Sequence, residues 1–138
     1  MYAKAARTAN IPLARPADPG DPRINEHGST LPMTPYAEAL HWIKAKPGTG
    51  SAETLAKLVL SIWNSDCAFS FRECIANLDP ERTALAVRVA AHFAEVGEDD
   101  ELVEIGHAVC ALYPRLWDLG EAADEAKTAL RRRWMQEA

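Results

Sequence analysis

No apolar run in this chain approaches the ~20 residues a bilayer-crossing helix needs, and no stretch alternates apolar with polar residues for long enough to read as a strand. Cysteine is scarce: three in 138 residues, an odd set that builds no disulfide framework and suits a reducing cytoplasm. Positive charge is also short. Fifteen Lys and Arg stand against twenty Asp and Glu, a formal net charge of −5, which argues against a general affinity for nucleic acid or anionic membranes. The opening MYAKAARTANIPLARP has no apolar block of the secretory-signal kind. What remains is 48% hydrophobic and 25% charged residues, ordinary for a globular protein and enough for one domain with a proper core.

Proline is unevenly spread. Six of the nine fall at positions 12, 16, 19, 22, 32 and 35, and the run RPADPGDPRINEHGST has almost nothing to bury. Residues 1–33 therefore read as an extended or flexible proline-rich arm, and residues 34–138 as an all-α domain of five to six short helices.

The helix signals are local and frequent. Thr34-Pro35 reads as a cap followed by a first-turn proline, with Tyr36, Ala39, Leu40 and Ile43 on one face and Pro47-Gly48 ending the helix. A second helix, about 51–64, carries Leu55, Leu58, Val59, Leu60, Ile62 and Trp63 over more than half its circumference. That width predicts a central position with neighbours on two sides. Ser70 and Glu73 have capping-box spacing, which predicts a two-turn helix ending near Leu78. Asp79-Pro80 starts another, with Leu85, Val89, Phe93 and Val96 buried and Gly97 stopping it. Leu102, Ile105, Val109 and Leu112 form the inner face of the next, which Pro114 breaks. The last helix, about 121–136, has a narrow stripe of Ala123, Ala126, Leu130 and Trp134.

The most chemical-looking stretch is Pro47-Gly48-Thr49-Gly50-Ser51, one letter from a phosphate-cradling loop. Such a loop needs a lysine for the terminal phosphates, a hydroxyl for magnesium and a buried strand leading in. Here Ser51 stands where the lysine belongs, Ala52 replaces the hydroxyl residue, and the preceding segment is an amphipathic helix. The stretch reads as a helix stop followed by a cap.

Other reactive residues are similarly thin. His107 and Cys110 lie three apart on one helix, but Cys67 and Cys74 are seven apart, not the two to four of a zinc knuckle. The sequence predicts no metal, no cofactor and no catalytic residue. His92 sits at the edge of a buried face with Glu95 one turn on, the setting of a histidine bonded to a carboxylate.

Partner-binding candidates stand out more. Glu98, Asp99, Asp100, Glu101 and Glu104 place five carboxylates within seven residues. They stabilise a helix start and also form an acidic patch for a basic surface, including one built for nucleic acid. Trp42 lies about 100° off its helix's apolar stripe, where it either covers the proline-rich arm or serves as an exposed aromatic anchor for a partner, and Trp117, near the Pro114 break, is open to the same two readings; exposed tryptophans also leave room for a homodimer. Arg131, Arg132 and Arg133 supply the alternative, a DNA-associated regulator using the last helix, although the three point in different directions around it.

The region LAKLVLSIWNSDCAFSFRECIANLD resembles a family of small uncharacterised proteins carried on plasmids and integrative conjugative elements. The resemblance rests on Trp63-Asn64 closing an apolar helix, Phe69 and Phe71 in the following loop, and the Leu78-Asp79 turn. It implies no activity and no catalytic residues, only accessory cargo of a mobile element, a group that includes inhibitors of host defence systems. Together these readings predict a cytoplasmic, non-enzymatic protein-interaction module that docks on a larger host or phage-defence assembly.

Overall fold

The computed structural model describes residues 33–138, so the expected arm, but for Met33, lies outside the described residues. The domain consists of α1 (Pro35–Ala45), α2 (Gly50–Trp63), a 3₁₀ turn (Arg72–Cys74), α3 (Pro80–Val96), α4 (Asp100–Leu112) and α5 (Pro114–Glu137), with no strand among the described residues. The all-α reading is correct.

Four of the five helices begin on a side chain that accepts from the backbone of the first turn: Thr34 from Ala37, Thr49 from Ala52, Asp79 from Arg82 and Asp99 from Leu102. Each bond satisfies one of the orphan N–H groups every helix start leaves behind. Prolines occupy the first turns of α1, α3 and α5, where a missing N–H costs nothing. Gly97 stops α3 at φ 72°, ψ −157°, backbone that residues with a Cβ avoid.

α2 is the hub. It touches α1, α3, α4, α5 and the 3₁₀ turn, and Ala52, Leu55, Ala56, Leu58, Val59 and Leu60 are all buried. Tyr36, Ile43, Leu85, Val89, Leu102, Ile105 and Val109 close around it from α1, α3 and α4. Each large aliphatic side chain so enclosed contributes roughly 1.5–3 kcal/mol of transfer free energy. Polar groups drawn inward have partners. Thr54 donates to the Ala76 carbonyl at 3.0 Å, Tyr36 Oη donates to the Gly97 carbonyl at 2.9 Å, and the buried Glu38 carboxylate accepts from both terminal nitrogens of Arg88, at 2.8 and 3.3 Å.

Two elements depart from expectation. The predicted two-turn helix ending near Leu78 is a single 3₁₀ turn. The capping box does form, with Ser70 and Glu73 exchanging 3.1 Å bonds, but Ile75 leaves helical backbone at φ −132° and Asn77 turns left-handed at φ 64°. The last helix starts at Pro114 rather than near 121. Gly120, just before the expected start, is a buried interior position of the helix. The loop after α2 crosses the helix there: Ala68 N–H donates to the Gly120 carbonyl at 2.9 Å, and a Cβ on Gly120 would overlap Cys67 Sγ.

Candidate functional site

The five clustered carboxylates lie at the α3–α4 junction, where three elements are tied together. The Thr34 hydroxyl accepts from Ala37 N–H at 3.1 Å and donates to Glu101 Oε1 at 2.6 Å, joining the start of α1 to the first turn of α4. Asp99 caps α4, accepting from Leu102 N–H at 2.8 Å. Tyr36, beneath them, bonds to Gly97. Its burial, reinforced by the negative charges of Asp99 and Glu101, pushes the phenol pKa above its ordinary value. Two of the five acids therefore have structural work. Glu98, Asp100 and Glu104 are exposed, and Asp100 and Glu104 lie one turn apart on the same side of α4.

A second acidic surface went unread in the sequence. A shallow, open groove runs along α5, lined by Asp66, Glu121, Asp124, Glu125, Thr128 and Arg132. Asp66 comes from the loop after α2, so no spacing within one helix announces the groove. Arg132 faces into it, and Arg133 lies 4.0 Å from Glu137. Arg131, Arg132 and Arg133 are all exposed; acids lie beside Arg132 in the groove and beside Arg133 at Glu137.

The two expected aromatic anchors are half-buried and engaged. The Arg82 guanidinium lies over the Trp42 ring at 4.1 Å and bonds to Asp79 at 2.6 Å, so Trp42 braces α1 against the start of α3. Trp117 packs on Trp63 with centroids 5.6 Å apart. Trp63 also meets the exposed His107 edge-on at 4.9 Å and fills the space a Cβ on Gly106 would need. Large apolar side chains that are exposed lie elsewhere: Phe71, Val87, Val96, Leu112, Leu119, Trp134 and Met135, so Val96 and Leu112, at the ends of α3 and α4, do not join the buried faces their spacing predicts.

His92 has a different neighbour from the one its spacing suggests. Its ring stands edge-on to Tyr36 at 4.7 Å, a packing contact made across helices. Cys67 and Cys74 are buried, Cys110 is half-buried, and all three are free thiols. Burial, with the nearby Cys110, Cys74 and Glu121, pushes Cys67 up to about 11. Burial raises Cys74 against a smaller opposing effect of its contact with Ser61, and burial with Asp118 and Glu121 raises Cys110. Such surroundings hold the proton on sulfur, whereas nucleophilic or metal-binding cysteine needs the thiolate. Among the described residues no three His, Cys, Asp or Glu side chains come together as a metal-binding group.

The glycine-rich stretch is a turn. Gly48 adopts φ 79° and its N–H donates to Tyr113 Oη at 3.0 Å, while Thr49 caps α2.

The chain matches no protein-family model, no curated protein and no solved structure. Among the described residues no helix is long and apolar enough to cross a membrane.

Proposed function

We propose that this protein is a non-enzymatic interaction module whose acidic α3–α4 junction docks on a basic surface of a larger protein assembly. The observation that carries the reading is the clamp at that junction. The Thr34–Glu101 bond, the Asp99 cap and the Tyr36–Gly97 bond hold the backbone beneath the exposed Glu98, Asp100 and Glu104 in one arrangement, so a partner need not order it. Preorganisation of this kind lowers the entropic cost of association, and a cluster of like charge steers a cationic partner toward it. The likeness of Leu55–Asp79 to mobile-element cargo supports a setting: an accessory protein that inhibits a host or phage-defence assembly by covering a basic surface, including one built to hold nucleic acid.

The test separates charge from fold. Glu98, Asp100 and Glu104 are changed together to Lys, leaving Asp99 and Glu101 intact, and affinity capture from host lysate is compared with the wild type at two salt concentrations. The expected result is a partner retained by wild type, weakened by salt, and lost from the variant by ~10-fold or more, since three exposed charges at ~0.5–1 kcal/mol each compound to that size. An unchanged thermal midpoint shows that the domain still folds. Equal recovery by both proteins would remove the acidic junction from the proposal.

A further inference from the structure

We draw no further inference here: the strongest candidate, the apolar stripe from Leu119 to Trp134 along the outer half of α5, is a helix face for which nothing in the structure shows what covers it, since the acids and Arg132 that could select a partner lie on the far side of the helix, in the groove with Asp66.

Discussion

Two glycines sit where a methyl group has no room, and they test the packing most directly. At Gly106 the Trp63 ring lies where a Cβ would go. Gly→Ala in a helix ordinarily stabilises by up to ~1 kcal/mol, but here the ring, wedged among Trp117 and His107, cannot withdraw. Gly106→Ala should lower the unfolding free energy by about 1–3 kcal/mol in urea titration. Adding Trp63→Leu should relieve that specific penalty, so the double variant is more stable than the sum of the two single effects implies. The thiols make a second residue-scale prediction. Cys67 titrates near 11 in the fold against an ordinary 9.0. Below pH 9 both folded and unfolded chains keep the proton. Above it the unfolded chain loses the proton first, so stability should fall as pH rises from 9 to about 11. Chemical denaturation at stepped pH measures this, and Cys67→Ser should flatten the slope over that interval.

Caps are where sequence and element meet. Asp79 accepts from Arg82 N–H at 2.8 Å and pairs with its guanidinium at 2.6 Å, bonds that hold its carboxyl below the usual value of 3.8. Asp79→Ala should cost about 1 kcal/mol, whereas Asp79→Asn should retain much of the cap. With a depressed pKa, the charge-dependent part of the stabilisation is present above the ordinary value and lost as pH falls through the folded one. The Asn variant should therefore lose less stability than wild type on acidification. Signals of this kind made the helix starts at Thr34 and Asp79 and the stop at Gly97 legible, because each acts within four residues. The start of α5 was not legible, because Gly120 is placed by Cys67 and Ala68 of a distant loop. The candidate site divides the same way. The five acids can be counted in the sequence, but Thr34, 67 residues from Glu101, decides which of them are occupied. Trp42 looked like a free anchor because Arg82, 40 positions on, carries no local sign that it covers the ring.

At the scale of the molecule, protection should decline outward from α2, the helix every other element touches. In hydrogen exchange the amides of α2 should be slowest, since opening them requires the whole core to part. Those of residues 121–137 should be the fastest helical amides at ~1 μM protein. Uniform exchange across all five helices would contradict this gradient.

The contact between Trp63 and Gly106 also bears on ancestry. A broad indole pressed against bare backbone allows neither position to drift alone: an inherited methyl at 106 demands a slimmer side chain at 63, and a retained indole demands glycine. Genuine kin of this chain should show the two positions changing in step, a signature that remains readable after surface residues have diverged.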